Sequence, residues 1–246
     1  MIIAVVSDIH SNLAAFEAVL AHLPPVDDLW CLGDTVGYGP HPNECIELLE
    51  SRHPSVVLAG NHDWAAIDRL DIGAFNSDAA RAALWTGRQL TAHSRTFLEN
   101  LPTLRRVGDW TLVHGSPRQP VWEYVLDCAD AQANFKHFET RYCLVGHSHV
   151  AAIFVEGFNQ SGELSCFSKP AVVAEKVALG PDRLIVNPGS VGQPRDGDPS
   201  ACYLLLDTAR ATIEFWRVAY DVQRTQQDMK KVGLPSRLWH RLSYGL

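Results

Sequence analysis

The stretch VVSDIHSN, residues 5–12, decides how this chain is read. An apolar run from Ile2 to Val6 ends abruptly in Asp8 and His10, with Asn12 two residues further on. Taken alone, the stretch reads as a strand, a turn and a helix cap. Its other reading is half of a metal site. The flanking sequence supports the strand. Leu13, Phe16, Leu20 and Leu23 recur at three- and four-residue intervals, an amphipathic helix with Ser11 or Asn12 as its N-cap.

Working outward, Asp28 to Leu32 is a short strand, and GDTVGYGPHP (33–42) a glycine- and proline-rich loop. Pro42 opens a helix running to about Ser51. SVVLAG (55–60) is a strand that leads into GNHD (60–63). The first sixty residues therefore read β-α-β-α-β, which implies a parallel sheet with helices packed on it. Residues 64–100 read as helical. RRVGDWTLVHG (105–115) reads as a hairpin turning at Gly108 and Asp109. YCLVGHSH (142–149) is a strand running into a loop, and segments 151–158, 183–190, 201–207 and 212–220 are further strands, antiparallel in part. The tail from Asp221 is helical and broken at Gly233-Leu234-Pro235.

Polar clusters follow apolar strands at five places: SDIH, LGDT, AGNHD, VHGS and VGHSH. In an open α/β sheet, ligands bind beyond the carboxyl ends of the strands. These loops would bring Asp8, His10, Asp34, Asn61, His62, His114, His147 and His149 to one rim. Each cluster alone has a plain alternative as a cap or turn. Their joint occurrence points to a metal site. A donor set of imidazoles, carboxylates and one amide suits Mn, Fe, Ni, Co or Zn, and the lack of cysteine ligands excludes a structural thiolate zinc site.

Composition is consistent with this. With 246 residues, 46% hydrophobic and 20% charged, the chain can bury a sizeable core. Its 21 Lys and Arg against 28 Asp and Glu give a net charge of −7, and no basic run offers a footprint for duplex nucleic acid. No apolar stretch is long enough to span a membrane, and the N-terminal run is too short for a signal sequence. A cytoplasmic location is the expectation, with the six cysteines reduced.

The order D-x-H, G-D, G-N-H-D, H-G, G-H-x-H, from Asp8 to His149, resembles the calcineurin-like metallophosphoesterases. GDTVGYGPHPNE (33–44) and NPGSVGQPRDG (187–197) are similar to a prokaryotic subgroup of small phosphoesterases. The resemblance implies an α/β fold: a four-layer α-β-β-α sandwich of two mixed sheets, in one domain over residues 1–246, with a possible helical lid at about 64–100. It implies two divalent ions. Asp8, His10 and His149 would hold the first, Asn61, His114 and His147 the second, and Asp34 would bridge them. His62 would face the leaving group as the catalytic acid.

Two divalent ions bring four positive charges, of which Asp8 and Asp34 cancel two. The remainder attracts a phosphate despite the acidic chain. Ions roughly 3.5–4 Å apart can hold both oxygens of a phosphoryl group and generate a bridging hydroxide nucleophile. The expected activity is hydrolysis of a small phosphomonoester or phosphodiester. A nucleotide-polyphosphate hydrolase and a non-catalytic scaffold, such as the retromer subunit of this fold, are the alternatives. A complete ligand set favours catalysis. One departure stands out. The serine/threonine phosphatase branch carries GD-x-x-D followed by arginine, and its second carboxylate orients the histidine of GNH. Gly37 occupies that position here, followed by Tyr38. Asn12, Arg118 and Arg195 are candidate substrate-binding residues, and Tyr38 and His41 candidate pocket residues. Trp64 and Trp85 read as core residues.

Overall fold

The computed structural model describes residues 1–246. The chain opens as β1 (Ile2–Val6), α1 (Leu13–His22), β2 (Asp28–Cys31), α2 (Pro42–Glu50) and β3 (Val56–Val57). Three helices follow: α3 (Asn61–Ala66), α4 (Ser77–Gln89) and α5 (Ala92–Glu99), with a 3-10 turn at Ile72–Ala74. Then come β4 (Leu104–Val107), β5 (Trp110–Val113), α6 (Cys128–Phe135), β6 (Tyr142–Leu144), β7 (Ala152–Phe158) and β8 (Leu164–Lys169). The chain closes with β9 (Lys176–Ala178), β10 (Leu184–Asn187), β11 (Ala201–Asp207), β12 (Thr212–Val218), α7 (Val222–Lys231) and α8 (Ser236–His240).

The strands form two six-stranded mixed sheets, ordered β3-β2-β1-β11-β12-β9 and β4-β5-β6-β10-β7-β8. β1, β2 and β3 are parallel, as their crossover helices require, and β11 pairs antiparallel with β1. β1 is buried on both faces because its side chains alternate between two cores. Ile3 and Val5 face the space between the sheets, where they meet Leu112 and Leu144 of the second sheet. Ala4 and Val6 face outward onto Phe16 and Val19 of α1. On the far side of the second sheet, Phe135 of α6 packs on Val113 and Ile185. The layers are thus α-β-β-α, as the resemblance implied.

The hairpin at Gly108 and Asp109 forms as expected, between β4 and β5. Two edge strands, β8 and β9, were not foreseen. Their side chains are mostly exposed, so neither carries the apolar alternation that marks a half-buried strand. The helical stretch 64–100 is three helices rather than one unit. Trp64 and Trp85 pack, partly buried, against neighbouring hydrophobic clusters. The tail returns across the molecule: Met229 of α7 and Leu238 of α8 pack with Ala79 and Ala82 of α4 around Tyr38. No helix is long and apolar enough to cross a membrane.

Candidate metal centre

The strand-end loops of β1, β2, β3, β5 and β6 converge. Asp8, His10 and His149 present ligand atoms within 4.8 Å of one another, and so do Asp34, His114 and His147. Asp34 joins the groups, its Oδ2 lying 3.6 Å from His10 Nε2 and 3.4 Å from His114 Nε2. Asn61 Oδ1 lies 3.2 Å from His114 Nε2. All seven candidate ligands are buried. Gly60 makes room for this approach, since a Cβ there would collide with the Asp34 carboxylate.

Each imidazole is fixed from behind. Nδ1 of His10, His114 and His149 donates to the main-chain oxygens of Val36 (3.2 Å), Leu32 (3.0 Å) and Gln193 (2.6 Å), and Nε2 of His147 donates to Trp122 O (3.0 Å). These bonds set the tautomers, so in the neutral rings the opposite nitrogens carry lone pairs toward the centre. The result is a set of acceptors facing acceptors. Nε2 atoms of His10 and His149 are 3.0 Å apart, and His114 Nε2 faces the Asn61 carbonyl. Asp8 Oδ1 and Asp34 Oδ2 are buried with no hydrogen-bond donor. Such an arrangement is repulsive until a cation sits between the atoms. The residues therefore fit divalent ions.

The electrostatics agree. Burial pushes His147 down to about 3 and holds His10 well below the usual imidazole range. Burial also opposes charge on His114, but the Asp34 carboxylate overcomes it and raises His114 to about 9. Without a cation nearby, a proton on His114 is what offsets Asp34. Asp34 itself stays well below the carboxylate range, because His114 and His62 outweigh its burial.

The backbone is bent to make the site. Asp8, His10, Asp34, His147 and His149 all have φ between 50° and 65°, the left-handed region that Asp and His tolerate better than most residues. Such conformations persist only where surrounding structure enforces them, and they gather at functional sites. The loop NPGSVGQP supplies part of that enforcement. Ser190 Oγ donates to Asp8 O (2.9 Å), and Asn187 Nδ2 donates to Gly146 O (2.7 Å) and Ser148 Oγ (2.9 Å). Sequence reasoning noted this loop only as a point of resemblance and gave it no structural role.

The remaining candidates separate. His62 belongs to neither ligand group. Its ring is held by aromatic neighbours: Tyr38 at 4.2 Å, Phe75 at 4.8 Å in a stack, and His10 at 5.0 Å edge-on. Its Nδ1 is buried without a partner. Gly37, with φ at 97°, lies so close that a Cβ there would come within 2.8 Å of the His62 ring. A carboxylate at this position would have no room. Asp63 does not take over that role, because its oxygens accept the main-chain N–H groups of Val36 (3.0 Å) and Gly60 (2.9 Å).

Asn12 is occupied in holding the fold. Its Oδ1 caps α1 through Ala15 N–H (3.3 Å) and accepts from Thr225 Oγ1 (2.9 Å), and its Nδ2 donates to Gly192 O (2.8 Å). Arg118 is forked onto Glu123 rather than free for phosphate. Its sequence neighbourhood gave no sign of this partner five residues on. His41 faces Asp228 of α7 at 3.7 Å. Arg195 does lie beside the centre, its main-chain N–H donating to His149 O (3.3 Å). The residues missed are aromatic. Tyr124 stacks on His147 at 3.8 Å, and Trp122 stacks on Phe75 at 5.4 Å.

The sequence profile of the calcineurin-like phosphoesterase superfamily domain matches residues 1–211. This chain belongs to that superfamily. An uncharacterized protein of Methanocaldococcus jannaschii is 36% identical over 252 aligned positions, covering 99% of this chain and 98% of its own. The crystal structure of a metallophosphoesterase from Sphaerobacter thermophilus superposes with a TM-score of 0.89 at 43% identity, over 100% of this chain and 99% of the other. A hypothetical protein of Pyrococcus horikoshii shares the fold, with a TM-score of 0.77 at 22% identity and coverage of 100% and 98%. A shorter similarity, 36% over 75 residues and 26% of each chain, links it to a symmetrical bis(5′-nucleosyl)-tetraphosphatase of Pseudomonas putida. Superfamily membership and the two buried ligand groups together point to divalent metal ions.

Proposed function

We propose that this calcineurin-like protein hydrolyses a small phosphomonoester or phosphodiester at a centre of two divalent ions. The observation that carries this reading is the pair of buried clusters, Asp8–His10–His149 and Asp34–His114–His147, with Asn61 Oδ1 beside His114 and the Asp34 carboxylate also 3.6 Å from His10. Two ions held there would supply positive charge for a phosphoryl group and lower the pKa of a water to make it a nucleophile. The protein residues do the rest. Asp34 fixes the spacing of the two groups. Tied imidazoles keep the ligand geometry from reorganising during the reaction. The enclosing aromatic rings limit water around the reacting atoms.

In this reading His62, outside both ligand groups and with its ring 5.0 Å from that of His10, protonates the departing oxygen. Burial pushes it down to about 4 against the pull of Asp34, so it rests neutral. A phosphate arriving beside it adds negative charge and favours its protonated form by the same Coulomb effect. The 75-residue similarity to the Pseudomonas putida tetraphosphatase favours a second reading within this chemistry, cleavage of a nucleotide polyphosphate. Metal analysis of purified protein, coupled to a panel of phosphoesters with added Mn, Ni, Co, Zn and Mg, tests both. The expected result is two ions per chain and metal-dependent turnover. A metal-loaded protein inert toward every ester and anhydride would overturn it.

A further inference from the structure

The seven ligand residues and His62 are all but sealed from solvent, with His62 4% exposed and His147 3%. Aromatic rings from three separate segments lie against them. Tyr38 comes from the loop after β2, Phe75 from the turn before α4, and Trp122 and Tyr124 from the stretch between β5 and α6. Phe75 stacks on His62 at 4.8 Å, and Trp122 stacks on Phe75 at 5.4 Å. Tyr124 lies flat on His147, centroids 3.8 Å apart and planes inclined by 12°. The Trp122 ring stands 6.3 Å from the same imidazole, and its main-chain oxygen accepts from His147 Nε2 (3.0 Å). Glu123, between the two, has its carboxylate paired with Arg118 and hydrogen-bonded by Asn134.

Tyr124 is 42% exposed. His147 closes one face of its ring, so the open part is the other face and the edge. Covering an imidazole requires only apolar bulk, which an aliphatic residue would supply. A flat ring with a free face offers more, because a second flat ring laid on it gains contact area and a favourable quadrupole match. Trp122 and Phe75 are both half-buried, so further aromatic surface stays open around the centre. A phosphoryl group held at the ligands would bring the rest of its ester against the residues that cover them, and the Tyr124 ring is one ring thickness from a candidate ligand.

We infer that Tyr124, with Trp122 beside the same imidazole, is a stacking subsite for a planar ring carried by the substrate, so that the preferred phosphoesters bear an aromatic group, an aryl ring or a nucleobase. The inference rests on the phosphoesterase reading for its meaning, but not for its test. Stacking on an aromatic platform tolerates any flat ring, so the subsite selects by shape and not by a pattern of hydrogen bonds. It separates esters whose phosphates are identical, which the ligand groups by themselves treat alike.

The test is binding rather than turnover. Full-length protein, with its ions as purified, is titrated calorimetrically with two pairs of phosphonates that resist hydrolysis. Phenylphosphonate is compared with cyclohexylphosphonate, and the 5′-phosphonate analogue of AMP with that of ribose 5-phosphate. Metal content is measured before and after. Wild type is expected to prefer the flat-ring member of at least one pair by about fivefold or more, and the pair that shows it tells an aryl ring from a nucleobase. Tyr124→Leu should lose about 5- to 150-fold on that member, the scale of one stacked base, with its partner's affinity unchanged. Tyr124→Phe keeps the ring and should keep the preference. Phe158→Leu removes an exposed ring at the end of β7 and should change nothing. If Tyr124→Leu does not fold or loses metal, Trp122→Leu carries the test with the same expected loss. No flat-ring preference in either pair, or equal losses on both members of a pair, would overturn the subsite. A protein that shows the preference yet cleaves no phosphoester would overturn the catalytic reading and leave the subsite standing.

Discussion

The imidazole of His62 lies flat against the phenyl ring of Phe75, centroids 4.8 Å apart and planes inclined by 21°. Tyr38 covers another side. This packing holds the ring by contact, in a chain that has Gly37 and no carboxylate beside it. Phe75→Ala should therefore free the His62 ring while leaving the ligands in place. Misplacing a catalytic group by about 1 Å can cost about 10²-fold, so kcat should fall by about 10- to 100-fold with two ions still bound. Wild-type kcat in this variant would exclude Phe75 as a positioning residue.

Asp34 and His10 differ in reach. Asp34 Oδ2 approaches histidines of both groups, whereas His10 serves the group with Asp8 and His149. Asp34→Ala should abolish turnover and lower metal content at both positions. His10→Ala should lose one ion and keep some activity. Metal stoichiometry by mass spectrometry, alongside turnover, checks this. Equal and mild losses in the two variants would argue against a shared carboxylate.

His62 lies outside both ligand groups, so His62→Ala should retain its metal. Its loss should then depend on the leaving group. General acid catalysis is worth about 10²–10⁴-fold, and nitrophenolate departs without a proton whereas an alkoxide does not. The variant should lose that range on an alkyl ester and much less on a nitrophenyl ester. An identical loss on the two substrates would remove His62 from the acid role.

Arg118 and Glu123 make a pH prediction away from the centre. The Arg118 hydrogen bonds outweigh partial burial and hold Glu123 at about 2, below its ordinary value of 4.5. A carboxylate depressed by folding stabilises the protein above its unfolded value and loses that contribution as pH falls through its folded one. Wild type should therefore exceed Glu123→Gln in denaturant stability at pH 7. The gap should narrow as pH is lowered from about 4.5 toward about 2. A gap that stays constant across that range would show that Glu123 acts through packing instead of charge.

The candidate site was legible because its residues cluster within one to five positions past apolar strands, most of them beside glycines. Asp8, Asp34, His114 and His147 all follow this rule. Their assignment to two groups came from the resemblance; the structure gathers Asp8, His10 and His149 in one cluster and Asp34, His114 and His147 in another. What escaped reading came from packing between distant segments. Nothing in the sequence around Phe75 or Tyr124 marks a site, because each meets His62 or His147 only when the intervening segments fold over them. Asn12 and Arg118 show the converse. Both carry suitable chemistry, but a cap and a neighbouring glutamate take up their hydrogen bonds.

The pairing of β1 with β11 sets the order in which the site can come into being. Strand β1 carries Asp8 and His10 at its end, yet one of its two edges stays open until residues 201–207 exist to cover it. On the ribosome, the first ligands to emerge must wait for nearly the whole chain before their strand is locked. Such long-range strand pairing folds slowly and leaves an apolar edge exposed meanwhile. Premature termination within β11 would therefore yield a chain that carries every one of the seven ligand residues and cannot hold them together.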